Sequence, residues 1–76
     1  MNKVRRTSLK EATTLLDRAI GLISDARDDE QECLDNLPEN LQNSDRYMNM
    51  ENAIDSLEDA IDKIDEAKVS IGEAIG

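Results

Sequence analysis

The side chains in this sequence with the most chemical potential are carboxylates, and they stand in a row. Glu51, Asp55, Glu58, Asp59, Asp62, Asp65, Glu66 and Glu73 recur mostly three or four residues apart, the spacing that stacks side chains on one side of a helix. At 100° per residue they fall within an arc of about 120°. Such a row ordinarily forms a solvated face. Its sharper reading is an anionic column that imitates a nucleic-acid backbone and occupies a basic groove. A field of that sign repels DNA, so direct DNA binding is not expected, and it steers towards basic partners. Asp55, Glu58, Asp62, Asp65 and Glu66 are therefore candidate partner-binding residues.

The cations collect elsewhere. Residues 1–10 hold Lys3, Arg5, Arg6 and Lys10 and no acid. Four cations beside a helix start suit an anion, so this segment is the candidate site for a small anionic nucleotide. Without aromatics nearby, base stacking is not supported. A third candidate is Arg46-Tyr47, which follows Asn36, Asn40, Gln42, Asn43 and Ser44. Turn closure and capping explain most of those polar residues. Tyr and Arg beside them also fit a contact patch, because both types are favoured at interface hot spots.

Catalysis has little to work with. There is no His, no phosphate-cradling glycine loop and no acid pair in an apolar setting. Asp28-Asp29-Glu30 with Glu32 lacks the glycine and the spacing of a calcium loop. Di-iron bundles require Glu-x-x-His units. The lone Cys33 cannot close an intrachain disulfide, and without His the common zinc sites are out of reach. The expectation is a protein that is not an enzyme and has no cofactor and no metal.

The elements that must carry these groups are helices. The chain has 76 residues, a net charge of −9, one Tyr and neither Phe nor Trp. Below about 70–80 residues one core rarely suffices without disulfides, a metal or a partner. Oligomerisation or very regular helix packing is left. Breaker residues cluster only at the centre, from Asp35 through Pro38 to Asp45. Before them, Leu9, Ala12, Leu16, Ala19, Ile23 and Ala26 alternate three and four apart, and Cys33 and Leu37 continue the series. After them, Met50, Ile54, Leu57, Ile61, Ile64, Ile71 and Ile75 keep the same rhythm, with Lys68 as the exception. These are heptad-type seams. Ser8-Leu9-Lys10-Glu11 reads as a capping box, and Asn43, Ser44 or Asp45 can cap the second helix. Pro38 should end the first helix, with an extra helical turn possible at 38–41. The predicted domain is a single hairpin: a basic arm at 1–7, helix at 8–35, turn at 36–44 and helix at 45–75.

Alanines suggest how the helices meet. Ala12, Ala19, Ala26 and Cys33 repeat every seven residues, as do Ala53, Ala60, Ala67 and Ala74. Paired antiparallel, 12 with 74 through 33 with 53, the rows share one midpoint inside the polar turn. An all-α antiparallel two-helix hairpin with an alanine seam is the expected fold, since small residues permit close helix approach, and Cys33 would be its fourth small member. The apolar surface is too wide for one hairpin. Leu15, Ile20 and Leu22 spread the first helix's stripe over roughly 160°. The core and oligomer set is Leu15, Leu16, Ile20, Leu22 and Ile23 with Ile54, Leu57, Ile61, Ile64 and Ile71, buried between copies in a four-helix bundle or a larger assembly.

The stretch from Glu30 through Leu37-Pro38-Glu39-Asn40-Leu41-Gln42 to Ser44-Asp45-Arg46-Tyr47, followed by an acidic Ala-Ile-Asp helix, resembles small uncharacterised acidic helical-hairpin proteins of bacteria and their phages. The likeness covers about residues 28–68. It implies a hairpin and a mobile-element setting, and it brings no activity or catalytic residues. Small acidic phage proteins of this kind often occupy a host defence protein. The leading expectation is a non-enzymatic binding protein, a phage-derived inhibitor of a bacterial defence or nucleic-acid-processing protein. The alternatives are an oligomer that sequesters an anionic nucleotide and a purely structural assembly module. No signal-type apolar run follows the charged start, and apolar residues come mostly in pairs, far short of a membrane span. A soluble, cytoplasmic protein is expected, in the host bacterial cell if phage-encoded, with no membrane partner.

Overall fold

The computed structural model describes residues 1–76. Helix α1 spans Lys3–Asp35, a short 3-10 turn covers Glu39–Leu41, and helix α2 spans Asp45–Ile75. The two helices pack against each other as an antiparallel hairpin 59 Å long and only 15 by 12 Å in section. Its radius of gyration is 17.4 Å, against about 11 Å for a compact chain of this length.

Helix α1 starts five residues before the expected position. The side chain of Asn2 accepts the amide of Arg5 at 2.8 Å and caps the helix there. Ser8 lies inside the helix, so the segment expected to be a basic arm forms its first turns. Thr7, Thr13 and Thr14 donate their hydroxyls to the carbonyls four residues earlier, at 3.0, 3.1 and 3.2 Å. Those local bonds satisfy the hydroxyls and let polar β-branched residues remain helical. The helix ends where Pro38 removes a donor, and the amide of Asn36 closes the last turn on Glu32. Ser44 then caps α2: its hydroxyl oxygen accepts the Tyr47 amide at 3.3 Å and its proton goes to the Leu41 carbonyl.

The seam of α2 lies where the periodicity places it. Met50 and Ile54 are buried, and Leu57, Ile61, Ile64, Lys68, Ile71 and Ile75 are half-buried. The seam of α1 does not follow the alanines. Leu9, Thr13, Leu16, Ile20, Ile23, Arg27 and Glu30 are half-buried and Leu34 is buried, in the same four-three rhythm. Ala26, Cys33, Ala53, Ala67 and Ala74 are exposed, while Ala12, Ala19 and Ala60 only flank the contact. The alanine seam is therefore corrected. The hairpin turns its larger residues inward, since they bury more apolar area per position than alanine does. Cys33 is likewise not a buried small residue.

Full burial is confined to the turn end. Leu34, Leu37, Met50 and Ile54 form the core, and Leu41 and Tyr47 pack against it. Leu15 and Leu22, assigned to the core or an oligomer contact, are 58 % and 65 % exposed. They take no part in the hairpin core. Gly21 sits in mid-helix, where an added Cβ meets nothing within 4 Å. Gly21→Ala is expected to raise unfolding free energy by about 1 kcal/mol through helix propensity and reduced unfolded-state entropy. A urea midpoint that fails to rise would count against a continuous helix there.

Candidate interaction surfaces

Helix α2 carries the acidic row on the flank away from its seam. Asp55, Glu58, Asp62, Asp65 and Glu66 are all exposed, and none of them belongs to an ion pair. The ion pairs lie beside the row. Lys63 reaches Asp59 at 2.8 Å one helical turn away, and the Asp59 hydrogen bond, helped by the Glu66 charge, raises the Lys63 pKa. Arg27 bonds its neighbour Asp28 at 3.2 Å. The third pair crosses the hairpin. Lys68 sits within the α2 seam, and its ammonium donates to Asp17 of α1. That hydrogen bond is the main reason the Lys68 pKa rises above its ordinary 10.5, with Asp65 adding to it.

The Lys68–Asp17 pair makes a pH test. A raised lysine pKa means a stabilising contribution that is complete below 10.5 and lost as pH climbs through the higher folded-state value. Wild type should exceed Lys68→Gln in urea midpoint at neutral pH, with the difference closing in alkaline solution. A gap that persists after the lysine is deprotonated would show that its aliphatic stem, not its charge, holds the seam.

At the hairpin tip, Arg46 and Tyr47 diverge. Tyr47 is half-buried against the core and lines a shallow groove with Gln31, Asp35, Glu51 and Asp55. Arg46 lines a separate groove with Glu32, Asn36 and Pro38. The expected joint patch is thus split. Neighbours in sequence stand about 100° apart on a helix, so the two side chains leave α2 in different directions. Asp55 reaching the Tyr47 groove joins the acidic row to the turn, an adjacency that residue spacing does not reveal.

Lys3, Arg5, Arg6 and Lys10 are all exposed on the first turns of α1. Helical angles put Lys3, Arg6 and Lys10 within about 60°, with Arg5 about 100° further round. None has an ion-pair partner in the chain, and the four do not converge on one point. No three of the Cys, Asp and Glu side chains converge at metal-binding distance. No helix is long and apolar enough to cross a membrane. Compared with protein families, curated proteins and solved structures, the chain matches none.

Proposed function

We propose that this protein is a non-enzymatic binding protein that presents the acidic face of α2 to a partner with a basic surface. The observation that carries this reading is the row Asp55, Glu58, Asp62, Asp65 and Glu66, exposed and outside every ion pair on a 31-residue helix. Charges fixed on a helix lose little entropy on binding, and a predominantly anionic row accelerates encounter with a cationic groove. The likeness to small phage-associated hairpins favours a host defence or nucleic-acid-processing protein as the target. Sequestration of a nucleotide by Lys3, Arg5, Arg6 and Lys10 is weaker, because one chain does not focus them. The wide exposed apolar surface around Leu15 and Leu22 favours self-association as part of the function, in keeping with an assembly module.

The test is capture from bacterial lysate with wild type and with Asp55→Lys, Asp62→Lys and Glu66→Lys combined. These positions are exposed, so the hairpin should survive the change. A basic nucleic-acid-binding protein should be retained by wild type and lost by the triple variant. Retention by both would overturn the acidic-face reading. A nucleotide released from the purified protein on denaturation would move the site to the cationic end.

A further inference from the structure

We infer that a second copy of this chain docks on the hairpin side bearing Ala12, Leu15, Ala19, Leu22 and Ala26, with its α1 running antiparallel to the first. The inference rests on the self-association reading above and names its surface and direction. Four observations carry it.

The first is a second heptad series. Ala12, Leu15, Ala19, Leu22 and Ala26 alternate three and four apart, with Val4 and Cys33 beyond either end. This stripe lies about 90° from the α1 seam. The α2 alanines Ala53, Ala60, Ala67 and Ala74 are displaced in the same angular sense from their own seam. In an antiparallel hairpin that puts both rows on one side of the molecule.

The second is area. The chain exposes 5694 Å², whereas a compact 8.5 kDa protein exposes about 4,700 Å². The excess of about 1,000 Å² is close to the roughly 800 Å² that each partner buries in a standard interface.

The third is symmetry. A two-fold dimer needs a surface that matches itself. The α1 stripe is nearly palindromic about Ala19: Ala12 answers Ala26, Leu15 answers Leu22, and Val4 answers Cys33. The four α2 alanines are also symmetric about their own centre. Reversing one hairpin over another therefore lays Leu15 beside the partner's Leu22 and Ala19 beside the partner's Ala19.

The fourth is charge. Two molecules of net charge −9 can meet closely only where acids are few. On α1, Glu30 is close to the seam edge of this side, and Glu11 and Asp29 border its outer rim; on α2, Asp45 lies toward it at the tip, and the acidic row lies on the opposite side. The reversed direction also brings Arg5, the one cation of residues 1–10 that borders this side, towards the partner's Glu30, while Lys3, Arg6 and Lys10 lie on the far side of α1. A parallel arrangement would stack like on like. Neither helix has a basic residue in its last turn, and α1 has no acid in its first. The antiparallel partner supplies opposite charge at both ends of α1. This dimer leaves Asp55, Asp62 and Glu66 facing outward on both copies.

Sedimentation of the full chain, with oxidation of a V4C variant, tests the arrangement. Wild type should be a dimer at micromolar concentration. Leu15→Glu and, on the other helix, Ala60→Glu should each weaken association about a hundredfold while helix content by circular dichroism is retained. Oxidised V4C should give a dimer bridged from position 4 to Cys33. Wild type should not bridge Cys33 to itself, because the two cysteines lie about 40 Å apart at 1.5 Å per residue. A monomer at all concentrations would overturn the inference and the self-association reading together. A dimer unmoved by both substitutions, or one that bridges through Cys33 alone, would overturn this face or this direction and leave self-association standing.

Discussion

Ile54→Ala is expected to lower the unfolding free energy by about 3 kcal/mol and the melting temperature by more than about 10 °C. Ile54 is the most buried side chain in the molecule, at 5 % exposure, and one of only four buried residues. It meets Leu34, Leu37 and Met50 where the hairpin turns, and two rigid helices leave a cavity there little freedom to collapse. The contrasting position is Ile75, half-buried in the last turn of α2. Terminal turns fray and its contacts are partial, so Ile75→Ala should cost under about 1.5 kcal/mol. Thermal melts followed by circular dichroism measure both. Equal losses would show that the seam, not the tip, holds most of the stability.

Added salt should stabilise the fold. Seven acid pairs stand three or four residues apart on α2: 51 with 55, 55 with 58 and 59, 58 and 59 with 62, and 62 with 65 and 66. Each like-charge pair at such spacing costs a few tenths of a kcal/mol, so the row costs about 2 kcal/mol at low ionic strength. Against it stand three ion pairs, Arg27–Asp28, Lys63–Asp59 and Lys68–Asp17. The carboxylate of each pair is exposed, even where Arg27 and Lys68 are half-buried, and pairs open to solvent contribute little. Raising ionic strength shortens the Debye length to about 8 Å at physiological salt and screens the longer repulsions first. Pairs about 5–6 Å apart are only partly screened, so the melting temperature should climb by about 5 °C between low and moderate salt. A fall would mean that the ion pairs outweigh the repulsion. The same excess of acid that destabilises the free hairpin is what a basic partner would neutralise, so the proposed binding face is also the region under most electrostatic strain.

The sequence by itself determined the class of fold and most of its boundaries. Two long periodic segments flank one Pro-containing polar turn, which is the pattern of a helical hairpin. A cap for α2 among Asn43, Ser44 and Asp45, Pro38 as the stop for α1 and the Met50-to-Ile75 seam are all local consequences of side-chain chemistry; the structure has the stop and the seam where the sequence puts them and selects Ser44 as the cap. The exposure of the acidic row was legible for the same reason, since carboxylates three and four apart opposite an apolar stripe have nowhere to go but solvent. The start of α1 was less legible. Asn2 and Ser8 are both competent caps, and choosing between them requires knowing that residues 3–7 can extend the helix without a partner. Only the tertiary structure decided which stripe of α1 faces α2. That helix has two apolar stripes, one through Leu16, Ile20 and Ile23 and one through Ala12, Leu15, Ala19 and Leu22, and spacing alone ranks them equally. The choice depends on how much apolar area each position buries against a partner whose own seam is made of Ile and Leu. Large residues on both sides bury more than an alanine row does, so the Leu–Ile stripe turned inward and the alanine–leucine stripe was left on the surface.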